Sequence, residues 1–374
     1  RTMNYLEALQ RVETDVLRPL APRTDAEGRF PREVIDALGQ AGLLGLISAP
    51  EVGGQGKGLA EAVQVVGSLA HICPSTAMIV GMHYCATAVI EALHGPEDLR
   101  RAIAQGHHLT TLAFSEAGSR SHFWAPVSTA RLDGDCAVLD ASKSWVTSAF
   151  QADSYVWSSQ PAAAEGASTI WLVDAKSPGL TQPGKFDGLG MRGNASTPIK
   201  AEGVRVPLSH RLGEDGKGFD VMMGNVMPWF ASLTAACSVG LMDGALQAAI
   251  AHVAGTRYQH LGTSLADLPT IRAYLARGRI RADQAQALLA DTVAAIGAGR
   301  PDAMLRVLEA KASAAEAALE VTDIAMRVCG GAAFRKEAGI ERLFRDSRAA
   351  SVMAPTSDVL FDFIGKAIVG MPLF

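Results

Sequence analysis

The chain is predicted to fold as an α+β protein in three parts: an N-terminal helical bundle, a central antiparallel β-domain and a C-terminal four-helix bundle. Three observations carry this. Apolar residues recur at helical spacing to about residue 108, short β-like runs with turn signals continue to about 212, and helical spacing then returns nearly to the end. The predicted boundaries are therefore 1–108, 109–212 and 213–374. There is no βαβ alternation and no Gly-rich loop between a strand and a helix, which disfavours a Rossmann nucleotide site.

Taken in order, Val34, Ile35, Leu38, Ala41 and Leu44 fall three or four residues apart, as do Val63, Val66, Leu69 and Ala70, so each set lines one face of an amphipathic helix. Ser48-Ala49-Pro50-Glu51-Val52-Gly53-Gly54-Gln55-Gly56 separates them, because Gly and Pro punctuate helices and permit tight turns. Ala137-Val138-Leu139, Tyr155-Val156-Trp157 and Thr169-Ile170-Trp171-Leu172-Val173 read as strands, with turns at Asp133-Gly134-Asp135 and Ser177-Pro178-Gly179. After the loop Gly213–Gly218, alanine-rich stretches such as Ala310 to Ala318 favour long, closely packed helices.

A chain of 374 residues exceeds one ordinary core, and 48% hydrophobic with 19% charged residues describes a folded chain rather than a disordered one. A net charge of −4 gives no global attraction for nucleic acid or an anionic membrane, so an anionic ligand needs a local site. Cys73, Cys85, Cys136, Cys237 and Cys329 are odd in number and widely spaced, as expected of free thiols in a reducing compartment. No apolar run of membrane-spanning length is read, and Arg1-Thr2-Met3-Asn4-Tyr5 lacks a signal-peptide pattern, so a cytoplasmic location is expected.

Four segments carry the chemical information. Gly42-Leu43-Leu44-Gly45-Leu46, with Pro50 and Gly53-Gly54-Gln55-Gly56, comes first; Ser115-Glu116-Ala117-Gly118-Ser119-Arg120-Ser121-His122 and Lys143-Ser144-Trp145-Val146-Thr147-Ser148 follow; Met353-Ala354-Pro355-Thr356 comes last. In order and spacing the chain resembles the acyl-CoA dehydrogenase superfamily of flavoproteins over nearly its whole length. The resemblance implies FAD rather than FMN, lying between the sheet and the last domain. Trp145 would cover the flavin ring, Thr147 would bond near its reactive edge, Ser115 would serve the pyrimidine end, Phe114 would line the site, and Ser121 would meet the pyrophosphate or the thioester's nucleotide. A flat apolar ring with hydrogen-bonding edges calls for such a large flat side chain and a few short polar groups. Taken alone, Trp145 reads as a sheet-core aromatic, and Ser115 and Thr147 as ordinary strand residues.

Elsewhere the pattern departs from the family. An arginine that reaches the flavin diphosphate of another subunit corresponds to Arg257, one residue early, or Arg257 is a surface arginine. The family's Q-x-x-G-G-x-G falls on Arg327 to Ala333, keeping Gly330 and Gly331, whose lack of side chains permits close backbone approach, with Arg327 either a phosphate partner or a helix-surface residue. Thr356 completes the implied cofactor contacts. The catalytic glutamate that follows Arg345-Asp346-Ser347-Arg348 in the family is replaced by Ala354, and the alternative glutamate position aligns near Ile250. His252 and Asp358 are the candidate replacement bases; the plain readings are a packed helix residue and a helix-start carboxylate.

Three functions are open at this point. The first is a flavin oxidase or monooxygenase acting on an acyl-CoA or acyl-carrier thioester, using O2 and a flavin reductase. The second is a dehydrogenase with a relocated base, passing electrons to an electron-transfer flavoprotein. The third is a non-catalytic flavin or acyl-carrier binding protein. The resemblance further implies a homotetramer or homodimer.

Overall fold

The computed structural model describes residues 3–374; the first two residues of the N-terminal stretch read above for targeting lie outside the described residues. Six helices come first: α1 Tyr5–Val12, α2 Arg18–Glu27, α3 Arg32–Gln40, α4 Leu59–Ile72, α5 Pro74–Ala92 and α6 Glu97–Ala104. Asn4 and Glu7 close a capping box on α1, each accepting a backbone N–H that the helix start leaves without a partner. On α3 the residues picked out by spacing, Val34, Ile35 and Leu38, are buried. The break between α3 and α4 folds back on itself: the N–H groups of Gln55, Gly56 and Lys57 donate to Gly45, Ser48 and Leu46.

Eight strands form two four-stranded sheets. The strands are β1 Thr110–Ala113, β2 Thr129–Asp133, β3 Cys136–Val146, β4 Ser154–Ser159, β5 Thr169–Asp174, β6 Leu180–Thr181, β7 Thr197–Pro207 and β8 Arg211–Leu212. One sheet has the order β1-β4-β5-β8 and the other β2-β3-β7-β6. β4 is buried throughout, whereas most of β7 alternates between buried and exposed positions, as a strand with one wet face does. Pairing is antiparallel except between β1 and β4, which run parallel with Thr110 beside Ser154. The chain between them makes the β2–β3 hairpin of the other sheet, and so long a crossover returns β4 in the direction of β1.

The helical remainder comprises α7 Gly218–Val221, α8 Met227–Gly255, a short β9–β10 pair (Arg257–Tyr258 with Thr263–Ser264), α9 Pro269–Ala298, α10 Ala303–Cys329, α11 Ile340–Asp346, α12 Ala349–Val352 and α13 Ser357–Ile368. The alanine-rich α10 packs along α9 and also meets α11, α12 and α13. Small side chains on its buried face let the neighbours come close. Among the described residues, Gly218–Gly255 is long and apolar enough to cross a membrane by length and composition, but 78% of its most apolar window is buried within the protein, which marks a core helix. All five cysteines are free, four of them buried.

By packing, the chain divides into two compact units. The first takes the chain up to Val65, Met78–Asp187 and Arg192–Phe230; the second takes Val66–Ala77, Gly188–Met191 and Ala231–Phe374. Within the second unit the short Gly188–Met191 strap is tied to α11: the Met191 N–H donates to Asp346 Oδ1 at 2.7 Å and Arg345 Nη1 donates to the Leu189 carbonyl at 3.0 Å. A side chain at Gly190 would put its Cβ 2.5 Å from the Arg345 carbonyl oxygen, so only glycine permits this approach.

Candidate active site

In the first unit the two central motifs are joined by a buried ion pair. Lys143 Nζ lies 2.8 Å from Glu116 Oε1, with the side chains 0% and 1% exposed. Lys143 also donates to the Ser158 carbonyl at 2.7 Å and Ser158 Oγ at 3.0 Å, and its ammonium stands 5.1 Å from the Trp157 ring centre. Glu116 accepts from the N–H groups of Val127 and Ser128 at 2.7 and 3.1 Å and from the Ser128 hydroxyl. Both charges thus have hydrogen-bond partners, the condition on which a buried pair persists. Burial pulls the Lys143 pKa down to about 8 against the attraction of Glu116. Burial alone would raise the Glu116 pKa, but the charge and bonds of Lys143, with Ser128 and Val127, hold it below the usual carboxylate range. Glu116 bridges Lys143 as an isolated antiparallel contact, and the Ser144 N–H donates to the Ser115 carbonyl at 2.9 Å, so the motifs lie side by side.

Two residues past Lys143 the strand is deformed. Lys143 pairs with Ile199 but Val146 pairs with Thr197, so β3 has three steps where β7 has two. The extra residue is a β-bulge. Trp145 sits in it with φ +53° and is 72% exposed. An aromatic residue rarely adopts this left-handed conformation, and nothing about a sheet core would put it there. The reading of Trp145 as a core aromatic is thereby overturned: the bulge turns it outward.

Around Trp145 the short polar residues differ in state. Thr147 is buried, with its hydroxyl 3.3 Å from Ser196 Oγ. Ser148, also at positive φ, donates its N–H to the Asn194 carbonyl, while its buried hydroxyl finds no hydrogen-bond partner among the described residues. The Ser119 hydroxyl is in the same position. Phe114 is buried and stacked on Phe123 at 6.3 Å with an angle of 8°, Ser115 and Ser121 are half-buried, and His122 is exposed, edge-on to Trp124. The Ser119 and Ser148 hydroxyls are therefore open to a polar group of a ligand.

In the second unit Arg257 is exposed and donates from Nη1 to the Gly262 carbonyl at 3.2 Å. Arg327, in the last turn of α10, donates to Tyr274 Oη at 2.7 Å, with its guanidinium 4.9 Å from that ring's centre. Gly330 ends α10 at φ +55°, ψ −134°, a conformation essentially confined to glycine, and a Cβ on Gly330 or Gly331 would meet nothing within 4 Å. That open backbone is free for a ligand. Thr356 caps α13, accepting the Val359 N–H. Ala354 is half-buried in the turn before it, joined to Pro355 by a cis peptide. His252 lies in the last turn of α8 with Nε2 3.4 Å from Thr256 Oγ1, Asp358 is exposed in the first turn of α13, and Ile250 is 47% exposed.

Sequence reasoning quoted Glu116 and Lys143 as motif letters and missed them as a pair; it passed over Lys311 altogether. Lys311 is buried on α10, and a basic residue inside the alanine run was the available signal.

Family models for the N-terminal, middle and C-terminal domains of acyl-CoA dehydrogenase match residues 4–106, 111–204 and 216–369. The probable acyl-CoA dehydrogenase FadE25 of Mycobacterium tuberculosis is 26% identical over 97% of this chain and 94% of its own length. Butyryl-CoA dehydrogenase from Megasphaera elsdenii superposes with a TM-score of 0.91 at 22% identity, covering 99% of this chain and all of its own. The prolyl acyl carrier protein oxidase AnaB superposes at 0.87 and 21%, covering 98% of this chain and all of its own.

Proposed function

The chain belongs to the acyl-CoA dehydrogenase family of FAD-binding oxidoreductases, and on that premise we propose that it acts on an acyl thioester of coenzyme A or a carrier protein with its flavin chemistry turned toward oxygen. The observation that carries the reading is Ala354, a residue with no exchangeable proton at the position where the family's glutamate is expected. General-base catalysis contributes ~10²–10⁴-fold, so its loss removes most of an ordinary α,β-dehydrogenation.

The residues fit a flavin. An outward aromatic in a bulge, two buried hydroxyls without partners and an open glycine turn are features that a flat ring with polar edges and a diphosphate would satisfy. In this reading Trp145, Thr147, Phe114 and Ser115 of the first unit hold the ring system and Ser121 meets a phosphate, while the family resemblance makes Arg257, Arg327, Gly330, Gly331 and Thr356 the second unit's cofactor contacts, Arg257 toward the FAD of another subunit. When bound, the flavin would supply two-electron chemistry and, once reduced, reactivity with O2. The chain's own part is to orient the thioester, exclude water and withhold a base; electrons then arrive from a separate flavin reductase. Phe361, Ile368, Val369 and Met371, exposed on and just beyond α13, suit a homodimer or homotetramer.

Anaerobic titration of the flavin-loaded protein with acyl-CoA thioesters tests this. The natural protein should leave the flavin oxidised, and Ala354→Glu should bleach it ~10²–10⁴-fold faster. Rapid bleaching of the unaltered protein would overturn the reading, passing electrons to an electron-transfer flavoprotein in the ordinary way and making His252 or Asp358 the base. Chemically reduced protein, aerated with thioester, should give an oxygenated product by mass.

A further inference from the structure

Beneath the turn that carries Ala354 lies an ammonium group. Lys311 Nζ donates to the carbonyls of Ala350 at 3.0 Å, Met353 at 2.9 Å and Pro355 at 3.0 Å. An ammonium has three donors, and three carbonyls stand within bonding distance of this one. The accepting groups belong to α12 and to the turn that follows, carbonyls of the kind a helix end leaves without intrahelical partners. One side chain, anchored about a third of the way along α10, therefore gathers a turn whose own backbone cannot close it.

We propose that Lys311 is a positioning residue: by tying Ala350, Met353 and Pro355 to one point on α10 it fixes where the side chain at 354 is presented and where Thr356 begins α13. Residue 354 sets the chemistry, and Lys311 sets its place. The proposal rests on the reading of Ala354 as the base position. Burial draws the Lys311 pKa down to about 7. Even so, Lys311 does not take over the missing base's task, because its N–H groups are engaged by main-chain carbonyls and losing a proton would take a donor from that cradle.

Two measurements keep this proposal separate from the functional one. In the otherwise natural protein, Lys311→Met should speed amide exchange roughly tenfold or more across residues 350–360 and leave the middle of α9 unchanged; unchanged exchange in 350–360 would overturn the proposal whatever Ala354 does. In the Ala354→Glu background, adding Lys311→Met should slow anaerobic bleaching at saturating thioester by about a hundredfold, the cost of a small displacement of a reacting group. The thioester concentration at half-saturation should stay within a factor of about three, because it does not depend on where residue 354 points; the bleaching rate is taken per bound flavin, since Thr356, a proposed FAD contact, starts from the same turn. An unchanged bleaching rate per bound flavin, with only a lower melting temperature, would reduce Lys311 to a structural residue and sink the proposal. Failure of Ala354→Glu to bleach would instead defeat the functional reading and leave the exchange result standing. Should Lys311→Met not fold, Lys311→Gln, with two donors, reads the same quantities.

Discussion

Each unit of the molecule buries a lysine, and the two are satisfied differently. In the first, Lys143 of β3 meets the Glu116 carboxylate and joins two segments apart in sequence; in the second, Lys311 meets three main-chain carbonyls and closes one local turn. The first arrangement is a matched pair, so removing one member leaves a buried charge. The second is a charge among dipoles, so removing it leaves neutral groups that a small shift can return to water. Matched charge specifies which segments meet, and a carbonyl cradle specifies the shape of one segment.

The largest expected effect breaks the first arrangement. Lys143→Met should cost about 3–5 kcal/mol of unfolding free energy, the penalty for an uncompensated buried carboxylate. Adding Glu116→Gln should recover much of it, and denaturant unfolding of the four proteins gives the coupling directly. Costs that simply add would erase the distinction between the lysines. Lys311→Met should cost less, about 1–3 kcal/mol for carbonyls left partly unsatisfied, and a loss as large as that of Lys143→Met would break the comparison from the other side.

The pH dependence sharpens it further. The Glu116 pKa is lowered in the folded state, so its stabilisation is complete above its unfolded value of about 4.3 and is lost as pH falls through the folded value. The Lys143 pKa, lowered to about 8, acts with the opposite sign: the penalty on its ammonium is full below that pH and is relieved as pH rises toward about 10.4. Melting temperature measured against pH should therefore fall less steeply at the acid end in the Glu116→Gln/Lys143→Met protein than in the natural one. The smallest effect concerns Trp145. Trp145→Gly should stabilise the flavin-free protein by about 1 kcal/mol, because glycine accepts the left-handed conformation without the penalty of roughly 1–2 kcal/mol borne by other residues. The same change should weaken FAD retention, read by fluorescence of released flavin.

Much of this was legible before any coordinates. Val34, Ile35 and Leu38 showed their helix face by spacing, and the runs around Val156 and Leu172 showed buried strands by composition. The parallel pairing of β1 with β4 was not legible, because local pattern carries no record of which distant strand lies alongside. Trp145 misread in isolation for a related reason: alternation assumes a regular pleat, and a bulge changes the face without changing the letters. Lys311 was hidden by its reach, since a long side chain in an alanine run can fold against backbone that sequence spacing does not bring to mind.

The strap Gly188–Met191 and the segment Val66–Ala77 belong to the second unit although the first unit's chain surrounds them. A gene cut at the loop Gly213–Gly218 would therefore deliver neither half intact: the downstream fragment would lack the peptide that caps Asp346, and the upstream fragment would carry two orphaned pieces of the other unit. Recombination or domain shuffling at that loop, where sequence alone marks a boundary, should yield insoluble halves unless both are produced together and allowed to reassemble.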